Sequence, residues 1–242
     1  MRILCLHGRG TSAQIFKSQT TSFRSRLNDL PITFDFIDAP YPTTPASGID
    51  LFYDPPYYTF WPDDSPTSLQ NARTWLLNHI AKNGPYDAVL GFSQGCSLAA
   101  LTLLLHAHES PLTPPPFKAA IFICGGAPLP LLEELGYTIT PEMRSRDAES
   151  RKKLSIQADS AGIRGEMERC GIGKVKIGVP TVHVYGRKDP RFVAGVQLSG
   201  VCEGSVRQCF DHGGGHDIPR SSAVSERLAE LVRWVLEEGG VA

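Results

Sequence analysis

The stretch Tyr86-Asp87-Ala88-Val89-Leu90-Gly91-Phe92-Ser93-Gln94-Gly95 decides how the rest of this chain is read. An apolar run of strand length leads into Gly91-Phe92-Ser93-Gln94-Gly95, and an Ala- and Leu-rich helical stretch follows. A serine flanked by glycines at this spacing fits a sharp strand-to-helix turn that lifts the hydroxyl clear of the sheet, where larger side chains at 91 and 95 would clash. A helix starting directly behind the serine turns its N-terminal N–H groups and dipole toward any negative charge formed there. The same pentapeptide also occurs as a plain strand–helix connection whose serine caps the helix, so its meaning rests on what else the chain supplies.

Outward from this turn, short apolar strands alternate with helical patterns, the sign of an α/β fold with a mostly parallel central sheet and helices on both faces. Strands are expected at Ile3–His7, Thr33–Ile37, Ala88–Gly91, Ala119–Cys124, Thr181–Tyr185 and Val206–Phe210. Ser65-Pro66 reads as an N-cap with proline at the first helical position, and Leu69, Ala72, Leu76 and Ile80 form one face behind it. The helix after Ser93 is apolar nearly all round and is expected to be buried. Val224, Leu228, Leu231 and Val235 stripe a last helix. Two stretches depart from this plan: the aromatic, proline-rich 40–64 and the charged 128–178, with helices expected around Pro141–Gln157 and Ile163–Cys170. Both are expected as insertions over the carboxyl edge of the sheet, where open α/β folds bind ligands, the second as a small lid. Residues 1–242 are read as one domain.

A formal net charge of -1 argues against nucleic acid as the main partner. No run of ~18 apolar residues offers a membrane span. The N-terminus enters a strand at once, with no signal-peptide pattern, so a cytoplasmic setting is expected. The six cysteines form no C-x-x-C pair and no Cys/His cluster at metal-ligand spacing, so they read as structural thiols, with no metal. No G-x-G-x-x-G opens a helix, and no cofactor is expected.

An activated serine needs a base, an orienting acid and an oxyanion hole. After strand 181–185 comes Gly186-Arg187-Lys188-Asp189-Pro190, and after strand 206–210 comes Asp211-His212-Gly213-Gly214-Gly215-His216. Asp189 and His216 thus follow the serine in the order serine, acid, histidine of α/β-hydrolases. Asp189 before Pro190 is also a good helix N-cap. His212 rivals His216 as the base, but three glycines give the later histidine a loop able to swing back over the sheet. The N–H groups of Gln94 and of Arg9, in His7-Gly8-Arg9-Gly10, are the candidate oxyanion donors.

Leu4 to Ser12, Phe36-Ile37-Asp38-Ala39-Pro40, Pro56-Tyr57-Tyr58, Gly91 to Gly95 and Gly214-Gly215-His216 together resemble the FSH serine hydrolases, an α/β-hydrolase family common in fungi that includes esterases and thioesterases of polyketide clusters. The resemblance runs over nearly the whole chain and implies Ser93, Asp189 and His216 as the triad. It also implies acyl transfer to water from an ester or thioester, here a polyketide or fatty acyl chain. An acyl carrier protein of a polyketide synthase is the implied partner beside the small-molecule substrate.

Within the aromatic insertion, Tyr57, Tyr58, Phe60 and Trp61 are the candidate substrate-binding residues; the plainer reading is a proline-stiffened loop whose aromatics pack on the core. Arg144, Arg146, Arg151, Lys152 and Lys153 form a basic run that reads as a solvated helix face or as a docking patch for an acidic carrier. Three other functions use the same fold: an acyltransferase on the same triad, a general short-chain carboxylesterase, and a small-molecule-binding protein without turnover.

Overall fold

In the computed structural model, which describes residues 1–150, 152 and 159–241, the first half of the chain runs β1 (Arg2–Leu6), α1 (Ala13–Gln19), α2 (Thr21–Arg24), β2 (Thr33–Ile37), β3 (Tyr41–Pro42), β4 (Tyr58–Thr59), α3 (Pro66–Asn83), β5 (Ala88–Phe92) and α4 (Gln94–Glu109). The second half adds β6 (Ala119–Ile123), α5 (Leu129–Glu134), α6 (Pro141–Ser150), α7 (Ser160–Cys170), β7 (Thr181–Tyr185), α8 (Phe192–Gly200), β8 (Arg207–Asp211) and α9 (Ser222–Glu238). Six of the strands form one sheet in the order β2-β1-β5-β6-β7-β8, and every neighbouring pair is parallel.

Alternation along the strands assigns the two faces. Leu4 and Leu6 of β1 point to one apolar cluster, which α3 and α4 cover with Leu76, Leu98 and Leu104. Ile3 and Cys5 point to the other, which Phe16, Phe23 and Leu228 cover from α1, α2 and α9. The inner strands β5, β6 and β7 are buried along their whole length, as a sheet covered on both faces requires. Each fully buried Phe or Leu in these layers contributes roughly 1.5–3 kcal/mol relative to exposure.

The expected helices form, with Ser65 Oγ accepting from Ser68 N at 3.2 Å to cap α3. Helix α8, buried throughout, is an element that the sequence reading does not single out. Expected helix Pro141–Gln157 is observed over Pro141–Ser150; residues 151 and 153–158 lie outside the described residues. Helix α7 starts earlier than expected because Asp159 caps it, accepting from Ala161 N and Gly162 N at 3.0 Å each.

The two insertions behave differently. In 40–64, β3 and β4 pair antiparallel, Tyr41 opposite Thr59, and a 3₁₀ turn at Ile49–Leu51 forms the tip. In 128–178, Leu132, Tyr137, Met143 and Met167 are buried in the same cluster as Leu198 of α8, while Ile163 packs with Phe192 and Val196. Its apolar side packs on α8. Arg144 pairs with Glu133 and Arg146 with Glu166, so two cations of the basic run are already neutralised; Arg151 and Lys153 lie outside the described residues.

Candidate active site

Strand β5 ends at Phe92 and α4 begins at Gln94, leaving Ser93 alone in the turn with φ 52° and ψ -112°. A non-glycine residue with positive φ is held there only by its surroundings. A Cβ on Gly95 would sit 2.1 Å from the Leu6 carbonyl oxygen, and one on Gly91 would sit 2.7 Å from Cys96 N. Both contacts are with backbone, so neither can be relieved by a rotamer change. The two glycines let α4 start against β1 and β5, and that close start forces the serine into its strained conformation.

Two loops at the carboxyl ends of β7 and β8 meet beside this turn. His216 Nε2 lies 2.9 Å from Ser93 Oγ, and His216 Nδ1 lies 2.8 Å from Asp189 Oδ2. A carboxylate accepts only, so the proton sits on Nδ1 and leaves Nε2 free to accept from the serine hydroxyl. Asp189 is 3% exposed, and Arg191 N donates to its other oxygen at 2.6 Å. The loops are clasped: Lys188 N donates to the Gly214 carbonyl at 3.0 Å, and a Cβ on Gly186 would meet that oxygen at 2.1 Å. His212, the rival base, points elsewhere. Its Nδ1 accepts Gly214 N–H at 3.2 Å, and burial lowers its pKa despite the opposing carboxylates Asp217, Asp211 and Asp189.

The turn after β1 comes close to the serine, since a Cβ on Gly8 would lie 3.3 Å from Ser93 Cβ. His7 is fully buried; its Nε2 accepts Ala39 N–H at 3.0 Å and its Nδ1 lies 2.8 Å from the Gly8 carbonyl, which Thr11 Oγ1 also meets at 2.7 Å. Burial holds this imidazole below its ordinary value, against weaker opposing effects of the Gly8 carbonyl and Asp38. With the Gly8 carbonyl fixed inward, planarity of the peptide turns the Arg9 N–H the opposite way. The Gln94 N–H opens α4, where no intrahelical acceptor reaches it.

A cavity of ≈ 940 Å³ opens over Ser93 and His216. Its walls include Gly8, Arg9 and Thr11 from the first turn, Ile49, Phe52 and Tyr53 from the insertion, and Ile218 and Arg220 from the segment before α9.

A family model described as "Serine hydrolase (FSH1)" matches residues 1–228. The chain belongs to this family. Esterase FPY3 of Fusarium mangiferae is 36% identical to it over 222 residues, covering 91% of this chain and 89% of the relative. Hydrolase FUB4 of Fusarium oxysporum f. sp. lycopersici is 30% identical over 260 residues, covering 96% and 97%. Among solved structures, mouse alpha/beta hydrolase domain-containing protein 10 aligns with a TM-score of 0.52 at 14% identity, over 98% of this chain and 90% of its own. The fold is that of the α/β-hydrolases, and the chain is a serine hydrolase of the esterase kind.

In this FSH1-family chain Tyr57, Tyr58, Phe60 and Trp61, the expected substrate contacts, sit where the insertion is anchored. None of the four lines the cavity. Phe60 is fully buried, its ring 5.1 Å from that of His7 and 5.7 Å from that of Trp75. Trp61 Nε1 donates to Asp64, Tyr57 Oη donates to the Tyr53 carbonyl at 2.6 Å, and the Tyr58 backbone is tied to Gly10 and Thr11. These residues anchor the base of the insertion, while its tip reaches the cavity. Among the described residues, none of 128–178 lines this cavity.

Two roles escape the sequence reading. The Gln94 side chain accepts Phe60 N–H at 3.0 Å, with Thr59 Oγ1 at 3.0 Å as well, so the residue after the serine fastens the insertion. Cys124, with φ 51° at the end of β6, brings its thiol within 4.8 Å of ligand atoms of Asp189 and His216. Burial, then the charge of Asp189, pushes that thiol well above its ordinary value. A thiol kept protonated is a poor metal ligand, and the other two groups already bond to each other. The positive φ of this buried cysteine is visible only in three dimensions.

Proposed function

We propose that the chain hydrolyses an acyl ester or thioester through Ser93, His216 and Asp189, with an acyl-enzyme on Ser93. Ser93 Oγ gives its proton to His216 Nε2 as it attacks the carbonyl carbon; the Arg9 and Gln94 N–H groups hold the oxyanion. Imidazolium then protonates the departing thiolate or alkoxide, water enters, and the same base activates it against the acyl-serine. Asp189 keeps the tautomer and stabilises the imidazolium. The observation that carries this reading is the pair of contacts at 2.9 Å and 2.8 Å linking Ser93, His216 and Asp189 at a strained turn.

The acyl group of this proposal is a polyketide or fatty chain delivered as a thioester by coenzyme A or an acyl carrier protein, in the cytoplasm, with residues 1–242 working as one domain. Its support is the likeness to fungal esterases of this family, and a cavity of ≈ 940 Å³ with apolar walls at Ile49, Phe52 and Ile218. Each buried methylene is worth ~0.8 kcal/mol, so kcat/KM climbs several-fold per carbon until the cavity is full.

A fluorophosphonate is expected to add one group per chain, mapped to Ser93, and Ser93→Ala or His216→Ala to lose on the order of 10⁴–10⁶-fold in turnover. A folded protein that stays unlabelled overturns the triad. Matched thioesters and p-nitrophenyl esters across chain lengths test the donor; a flat profile, or strong preference for the oxygen esters, leaves a general short-chain carboxylesterase.

A further inference from the structure

Two arginines line the cavity that holds Ser93, and among the described residues neither has an acidic partner. Arg9 comes from the turn after β1 and Arg220 from the segment leading into α9. Most other arginines of the chain are in ion pairs, for example Arg73 with Glu109 and Arg233 with Asp29. Among the described residues, no carboxylate lies within 4.0 Å of Arg9 or Arg220. Asp217 is the one carboxylate in the walls, and its charge acts on His212 and the Cys124 thiol.

Arg220 is also held in place. Its Nη2 donates to Tyr53 Oη at 2.9 Å, and Ser22 Oγ meets its carbonyl at 3.4 Å. Tyr53 is in turn fixed by Ser18 at 3.2 Å and, through its carbonyl, by Tyr57. A guanidinium with one edge on a neutral phenol keeps its remaining donors for an anion, and a positioned fork loses less entropy on binding than a free one. The apolar Ile49 and Phe52 stand in the same wall.

We propose that the cavity takes an acyl substrate bearing a second, negatively charged group, a carboxylate or a phosphate, which Arg220 and the Arg9 side chain hold while the scissile carbonyl sits at Ser93. This rests on the triad reading above. The anion has two sources: a carboxylate on the acyl chain, or the phosphate of a pantetheine leaving group.

Two matched pairs separate them. Glutaryl and valeryl thioesters of N-acetylcysteamine have the same length and differ in the acyl carboxylate. The valeryl thioesters of 4′-phosphopantetheine and of pantetheine differ only in the phosphate. Measured at low ionic strength, at least one charged member is expected to exceed its neutral twin in kcat/KM by about tenfold, with the advantage shrinking as salt screens it. Arg220→Gln is expected to bring that ratio near one, and Arg220→Lys to keep part of it. Calorimetric binding of the same pairs to Ser93→Ala reads the ratio without turnover. Ratios near one in both pairs, or a ratio unmoved by Arg220→Gln, overturn the anion site. A surviving binding ratio in a protein that turns over nothing and stays unlabelled overturns the triad instead.

Discussion

His7 Nε2 accepts the backbone N–H of Ala39 at 3.0 Å, which puts the imidazole proton on Nδ1 and the Gly8 carbonyl on that proton. A histidine buried beneath the first turn thereby sets the orientation of the next peptide. The expected consequence is that His7→Ala lowers kcat by on the order of 10²-fold, the cost of an oxyanion donor, with a smaller change in KM. Steady-state kinetics alongside the rate of fluorophosphonate labelling check this. Wild-type kcat in a folded His7→Ala protein removes His7 from the catalytic account.

Four imidazoles are expected to weaken the fold as pH falls. His7, His79, His183 and His212 all lie below their ordinary value, chiefly through burial, with Arg207 and Arg164 pushing His183 further. Below ~6.5 the unfolded chain takes up protons that the folded chain refuses. Their contribution is therefore complete above that pH and is lost as pH falls toward the folded values. Tm is expected to drop between pH 7.5 and pH 5.5, and an unchanged Tm over that interval contradicts the neutral assignment.

The turn at Ser93 tolerates no methyl group on its inner glycine. Gly95→Ala brings a carbon against the Leu6 carbonyl oxygen at 2.1 Å, so α4 must shift. A loss of about 3 kcal/mol is expected, or roughly 6–12 °C in Tm for a chain of this length. Calorimetry of Gly95→Ala beside Gly213→Ala separates the causes. Gly95 lies in α4 without a positive φ, so its variant carries the steric clash alone. Gly213 has φ 75° and open space around it, so its variant carries the conformational penalty alone.

Phe52 and Phe60 are eight residues apart and are expected to fail in opposite ways. Phe60→Ala empties a fully buried site and costs about 3–5 kcal/mol. Phe52 is 80% exposed at the cavity wall, so Phe52→Ala is expected to spare Tm and change the preference among acyl chain lengths. A chain-length series on both proteins, with thermal melts, decides; a large Tm loss from Phe52→Ala contradicts the placement.

The sequence reading located what periodicity and strand-end position carry. The six sheet strands, and the loops that bring Asp189 and His216 to Ser93, follow from apolar runs and glycine spacing, because chain order and a parallel sheet leave few arrangements. The aromatic insertion gave no such purchase. It has neither helical nor strand period, so residue type alone could not separate Phe60, sunk beside His7, from Phe52 at the cavity. In the 128–178 segment charge dominates the composition, while a few apolar residues such as Met143 and Met167 decide where it packs, so its helices were legible and their packing was not. Cys124 was read as a core thiol, and its place beside Asp189 depends on β6 lying between β5 and β7.

The Gln94 side chain gives the insertion an architecture of fixed base and exchangeable crown. Thr59 and Phe60 are stitched to the residue beside the serine, whereas Ile49 and Phe52 stand in the cavity wall. Selection, or an engineer, can rewrite the crown to suit a new acyl chain without loosening the reacting atoms. Within such a lineage, specificity can drift at the tip while the machinery underneath stays still.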